Sequence, residues 1–136
     1  MKDRFELQGN LLVLDQETGL IWQRGASKDR MVWGDGHAYI EKLNKDQFAG
    51  YGDWRFPTKV ELDTLILPEE NRLSGLYTSH LFENQRNCWS STEAGHHRAC
   101  YADFYYGDIY VPPEERATRT LVDGDVLAIW PPVAGG

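Results

Sequence analysis

"GYGDWRFPTKVEL", Gly50 to Leu62, packs a turn, an aromatic, an arginine, a proline and a helix start into one short run. Two readings compete for it. In one, Asp53 and Arg55 do chemistry while Trp54 stacks a substrate; in the other, the run is a structural corner. Thr58 followed three residues later by Glu61 forms a capping box: the threonine hydroxyl accepts an orphan backbone N–H, and the glutamate reaches back to the cap. A helix therefore starts at Lys59. It is expected to run through Leu62, Leu65 and Ile66 and to stop before Pro68, because proline cannot continue a helix and restricts the residue ahead of it. Upstream, Gly50 and Gly52 admit positive φ, so "AGYGDW" reads as a tight turn that delivers Trp54 inward, with Pro57 fixing the approach to the helix.

Working outward, "NLLVLDQETGLIWQ" places a turn cluster, Asp15 to Gly19, between two β-prone runs, which is a hairpin pattern. Trp33, His37, Ile40 and Leu43 recur at helical spacing and predict an amphipathic helix from about Trp33 or Asp35 to Asn44, with Gly34 and Gly36 weakening its first turn. From Asn87 the pattern changes to strands. In "RACYADFYYGDIYV", Cys100, Ala102 and Phe104 alternate with Tyr101, Asp103 and Tyr105, and the first set is expected to face the core. "EAGHHR" is the loop after "NCWSST"; Gly107 with Asp108 marks a second turn, and "VDGD" a third before the apolar strand "VLAIW". Pro112 and Pro113 argue against a continuous central strand there. The sum is an α+β arrangement, two early helices and a small, mainly antiparallel sheet late in the chain.

A chain of 136 residues with 41% hydrophobic residues closes one core, so a single domain spanning 1–136 is expected. Aromatics reach 12%, with five Trp and seven Tyr, which excludes a charge-dominated disordered composition. The formal net charge of −7 disfavours nucleic acid and anionic membrane surfaces, which are held by clustered Lys and Arg. A neutral or cationic partner fits better. No stretch approaches the roughly 18 to 20 apolar residues that span a bilayer, and Met1 to Asn10 lacks the apolar run of a signal peptide. No membrane insertion is expected; compartment and oligomeric state stay open. Cys88 and Cys100 are too few for a disulfide scaffold and lack the Cys-x-x-Cys pairs of a zinc ribbon, so they read as two half-buried strand thiols.

"DQETGLIWQ", "GYGDWRFPTKVEL", "CWSST" and "YADFYYGDIY", in this order, resemble the Lcl C-terminal-like family, bacterial domains of unknown function related to the C-type-lectin-like and sulfatase-modifying-factor folds. The resemblance covers about residues 9 to 110, and its central motif, GY-x-DWR-x-PT-x-x-EL, is long and specific. "LVDGDVLAIWPP" departs from the arginine-containing last strand of the family, and Cys88 and Cys100 stand where it usually has large side chains. The resemblance implies a C-type-lectin-like domain, and it favours the structural answer for the opening run. Trp54 would be a core anchor and Arg55 would bind backbone carbonyls or a carboxylate, tying the turn to the sheet, as a multi-donor guanidinium can. By the same logic Trp89 is buried, and Ser90, Ser91 and Thr92 satisfy local backbone groups.

Other residues carry side chains capable of chemistry. His96 and His97, with Glu93 and Asp103 nearby, have the ligand types of a zinc site, but adjacent strand residues point to opposite faces. Cys88 and Cys100 invite comparison with the reactive cysteines of the sulfatase-modifying relatives, without their local motif. Ser90, Ser91 and His96 lack a nucleophile elbow. Glu69 with Glu70, Glu114 with Glu115 and Asp123 with Asp125 lack the spaced ligand series of an EF-hand loop. No metal, cofactor or catalytic residue is therefore assigned. A binding module remains, with Glu93, His96, His97, Arg98, Tyr101, Asp103, Tyr105, Tyr106 and Asp108 as its ligand-binding face, because tyrosines supply contact area at low entropic cost and mixed charges supply orientation. The resemblance agrees, since lectin-like folds commonly present ligands to the late sheet and its loops. The expected partner is a protein or a neutral glycan. A family namesake is associated with sulfated polysaccharides, but the acidic balance here opposes a strongly anionic glycan. The alternatives are an enzyme of the formylglycine-generating type and a structural domain of a larger assembly.

Overall fold

The computed structural model describes residues 3–27, 30–83, 86–93, 99–111 and 129–130. Strands β1 (Phe5–Gln8), β2 (Leu12–Asp15) and β3 (Ile21–Gln23) come first, followed by helix α1 (Trp33–Lys45), a 3-10 turn at Phe48–Gly50 and helix α2 (Lys59–Asp63). Strands β4 (Asn87–Glu93), β5 (Ala99–Asp103), β6 (Asp108–Tyr110) and β7 (Ile129–Trp130) complete the order. The α+β class holds, but the strands form two antiparallel sheets in place of the single one expected, ordered β1-β2-β3-β7 and β4-β5-β6.

The hairpin read from "NLLVLDQETGLIWQ" is β2 and β3, paired from Leu12 with Gln23 to Leu14 with Ile21. Its turn is closed by Asp15. That buried carboxylate accepts from Arg4 Nε at 3.0 Å and Nη2 at 2.8 Å, and from the Glu17 amide at 3.0 Å. Burial works against the ionised carboxyl, but the Arg4 and Glu17 hydrogen bonds outweigh it and hold Asp15 below the usual carboxylate range. Arg4 also donates to the Thr64 carbonyl at 2.8 Å, which fastens this sheet to the end of α2.

The quoted run is a corner. Trp54 is buried, its indole N–H donates to the Phe48 carbonyl at 3.1 Å, and its backbone is bracketed by the Asn44 side chain of α1. Glu61 N–H donates to Thr58 Oγ1 at 3.1 Å and Thr58 N–H to Glu61 Oε1 at 2.8 Å, completing the capping box. Arg55 does not tie the turn to the sheet. Its two terminal nitrogens donate to the two Glu61 oxygens at 2.8 Å each, so it locks the turn to α2. The sheet is held instead by the Ser91 N–H on the Pro57 carbonyl at 2.8 Å and the Lys59 N–H on Thr92 Oγ1 at 2.9 Å. Gly50 has φ +88°, whereas Gly52 keeps a negative φ, and the left-handed positions fall on Gln47 and Ala49.

Helix α2 is shorter than expected. It ends at Asp63; Leu65 N–H and Ile66 N–H bond only three residues back, to the Leu62 and Asp63 carbonyls. Thr64 Oγ1 donates to the Glu61 carbonyl at 2.6 Å while Arg4 takes the Thr64 carbonyl, so side chains replace the next helical turn. Leu62 and Leu65 are fully buried all the same.

The second sheet is covered on both faces around β4 and β5. Cys88 and Ala102 pair across the strands and join Val13, Trp22, Leu62, Leu65 and Phe104 in one cluster. Trp89 and Tyr101, one register step away, face the opposite cluster of Leu12, Ile40, Leu43, Trp54 and Phe56. Period-two alternation puts each set on its own side. Trp89 and Trp33 donate their indole N–H groups to the Met31 and Ser90 carbonyls, both at 2.9 Å, joining this sheet to the start of α1. Ser90 Oγ donates to the Cys100 carbonyl at 2.7 Å and accepts from the Thr92 N–H at 3.1 Å; Ser91 is exposed. No helix among the described residues is long and apolar enough to cross a membrane.

Candidate functional site

The inward set of β5 is as the alternation requires: Cys100, Ala102 and Phe104 are buried. The other face is not an open surface. Tyr101 is half-buried against Trp89, ring centroids 5.6 Å apart, and Asp103 is only 8% exposed. Asp103 is corrected from an outward contact residue to a turn former. Its Oδ1 accepts from the amides of Tyr105 at 2.8 Å and Tyr106 at 3.3 Å, and its carbonyl accepts from Gly107 at 2.8 Å. A short carboxylate at the end of a strand satisfies the turn that follows it.

That turn is anchored on two further sides. Phe104 N–H donates to the Arg86 carbonyl and its own carbonyl accepts from Tyr77 N–H, both at 2.7 Å. Gly107 sits at φ +74°, and a Cβ there would lie 2.8 Å from Tyr77 Cγ, so only glycine fits both the backbone and the packing. The consequence is a rigid base under two exposed rings. Tyr105 and Tyr106 are 50% and 64% exposed, 4.9 Å apart and nearly perpendicular, and the Arg86 guanidinium lies 4.7 Å from the Tyr105 ring centre. Asp108 is exposed beside them, its Oδ1 accepting from the Ile109 amide at 2.8 Å. Tyr110 stacks 6.0 Å from Tyr101, and desolvation, then the charges of Asp108 and Asp103, push its phenol upward.

The described residues of the predicted face fall at two ends of the β4–β5 ladder. Glu93 is exposed but pairs with Ala99 at one end of the β4–β5 ladder, whereas Asn87 pairs with Asp103 at the other. Four residue steps along the strand separate Ala99 from Asp103, roughly 13 Å. His96, His97 and Arg98 lie outside the described residues. Tyr105, Tyr106 and Asp108 come together, with Tyr101 and Asp103 supporting them from beneath. Tyr77 and Arg86, which complete this turn, were not singled out by sequence, since neither sits in a periodic segment.

Among the described residues no three His, Cys, Asp or Glu side chains converge as a metal-binding group, Glu69 and Glu70 are exposed, and the Glu114, Glu115, Asp123 and Asp125 clusters lie outside them. Cys88 and Cys100 are buried rather than half-buried. Two of the carboxylate–guanidinium pairs, Arg4 with Asp15 and Arg55 with Glu61, hold secondary structure together as described above.

A family model described as the Lcl C-terminal domain matches residues 11–122. No curated protein and no solved structure gave a significant match to the chain. The family match takes in the β2–β3 hairpin, the Trp54–Arg55 corner and the whole β4-β5-β6 sheet with its tyrosine turn. The chain belongs to the Lcl C-terminal domain family.

Proposed function

We propose that this domain is a noncatalytic recognition or adhesion module of C-type-lectin-like architecture, which binds a protein or a neutral glycan at the turn between β5 and β6. The observation that carries the reading is the pair of exposed tyrosine rings on a turn fixed by Asp103, Phe104 and Gly107. Large exposed aromatics cost water-facing apolar area, and a turn that holds them in place has already lost the conformational freedom that binding would otherwise remove. Arg86 and Asp108 add one charge of each sign beside the rings, enough to orient a ligand without selecting a polyanion. The net charge of −7 points the same way.

The test is a glycan and protein array probed with the purified domain, followed by titration of whatever is captured. Tyr105→Ala and Tyr106→Ala should melt like the parent and bind more weakly by about 1 to 3 kcal/mol each. A domain that captures nothing, or whose affinity is untouched by both substitutions, would overturn the reading.

A further inference from the structure

We propose that a cleft between Leu73 and Glu83, whose lining includes neither Tyr77 nor any other residue of the tyrosine turn, is a separate binding site for a small neutral polyhydroxyl ligand such as a sugar ring. The chain between α2 and β4 makes no helix or strand through residues 67–82 and closes on itself instead. Leu67 N–H donates to the Tyr77 carbonyl at 2.9 Å and Asn71 N–H to the Leu76 carbonyl at 2.8 Å. Beside it lies a cleft of about 550 Å³, within the range of about 300 to 1,000 Å³ usual for small-molecule sites.

Three hydroxyl-bearing residues line this cleft, Ser74, Thr78 and Ser79. Ser74 Oγ and Ser79 Oγ each accept one backbone N–H, from Leu76 and Leu81 at 3.2 Å, which leaves both hydroxyl hydrogens able to donate outward. Thr78 is 2% exposed, and its hydroxyl has no hydrogen-bond partner in the protein. A buried hydroxyl in that condition is destabilising until something bonds it. Rotation about χ1 moves the hydroxyl to another staggered position, so it can be turned onto a ligand without breaking any existing bond. His80 and Glu83, both exposed, add an imidazole and a carboxylate acceptor, and Leu73 and Leu76 add apolar surface.

Donors and acceptors mixed with apolar surface match a ring with hydroxyls on its rim and C–H groups on its faces. Charge sharpens the assignment. The described lining holds no Lys or Arg, while Glu83 contributes a negative charge whose partner, Arg24 Nε, is 3.7 Å away, so acidic and sulfated sugars are disfavoured. A second hollow of about 310 Å³ shares Ser79 and His80 and continues to Asn71 and Arg4, which leaves room for a further unit of a short chain.

Saturation-transfer NMR of the purified domain with methyl glucoside and methyl galactoside tests the proposal, with glucuronate and a sulfated monosaccharide as controls. The neutral glycosides should give signal, and titration should show binding about tenfold weaker in Thr78→Val and in His80→Ala, with Tyr105→Ala unchanged. Thr78→Val keeps the side-chain shape and removes only the unpartnered hydroxyl, so it should melt no lower than the parent; exposed Ser74→Ala provides a second variant that leaves the core untouched. Absence of signal, preference for the charged sugars, or binding indifferent to Thr78, His80 and Ser74 overturns the proposal. Loss of binding in Tyr105→Ala alone also overturns it, while leaving the tyrosine turn as the recognition site.

Discussion

Glu61→Ala is the sharpest test of the corner, because one carboxylate there serves two structures at once. It accepts the Thr58 amide at 2.8 Å as half of the capping box and both Arg55 nitrogens at 2.8 Å as a bidentate pair. Loss of a helix N-terminal cap costs about 1 kcal/mol. The ion pair adds no more than about 1 kcal/mol, because the side chains of Arg55 and Glu61 are 37% and 21% exposed and water screens the attraction. The expected loss is therefore about 2 kcal/mol, a fall in melting temperature of roughly 6 to 12 °C for a chain of this size. Glu61→Gln keeps an oxygen for the Thr58 amide and loses only the charge, so about half that fall is expected. Burial works against ionisation of Glu61, but hydrogen bonds from Arg55 and Thr58 overcome it and depress its titration; Asp15 behaves likewise. A depressed folded-state pKa gives stability that is complete above the unfolded carboxylate range, about 4, and is lost as pH falls through the folded value. Thermal melts from neutral pH down to about 3 should show the parent losing its advantage over Glu61→Gln in that window. A Glu61→Ala protein that melts with the parent at neutral pH would refute the structural account of the corner.

Trp54→Ala, which empties the buried indole site, should cost about 3 to 5 kcal/mol or abolish folding, read by the same melts. Gly107→Ala sets a side chain at φ +74° against the Tyr77 ring and should destabilise by about 2 kcal/mol or more, with Tyr105 fluorescence or NMR shifts reporting displacement of the turn. Cys88 and Cys100 should react with a thiol reagent only after denaturation; fast labelling of the folded protein would contradict their burial.

What could be read from the chain alone was what local chemistry dictates. The Thr58–Glu61 cap, the helix from Trp33 and the hairpin around Asp15 to Gly19 each rest on residues within a few positions of one another, and each stands where it was expected. Strand β1 escaped notice because an edge strand with three exposed residues shows little alternation; it is secured by its ladder to β2 and by the Arg4–Asp15 pair beside it. Gln47 and Ala49 adopt left-handed backbone without glycine, so no residue type signalled them. For the site, alternation identified the inward set of β5 but supplied no knowledge of what covers the other face. The α1 side of the core closes over Tyr101, and the Asp103 carboxylate folds back on its own turn. The 73–83 cleft has no periodic pattern at all, and its loop is positioned by the Phe104 and Tyr77 backbones, a contact across the fold.

Strand β7 pairs with β3 through Ile21 with Trp130 and Trp22 with Ile129, partners more than a hundred positions apart in the chain. During synthesis β1, β2 and β3 emerge early, with the outer edge of β3 bare until Ile129 and Trp130 leave the ribosome. Such long-range closure slows folding, and an unpaired strand edge is a template for another chain. The nascent or truncated protein thus carries an association hazard that the finished domain lacks at this edge. Removing residues 129–136 should raise concentration-dependent aggregation during refolding.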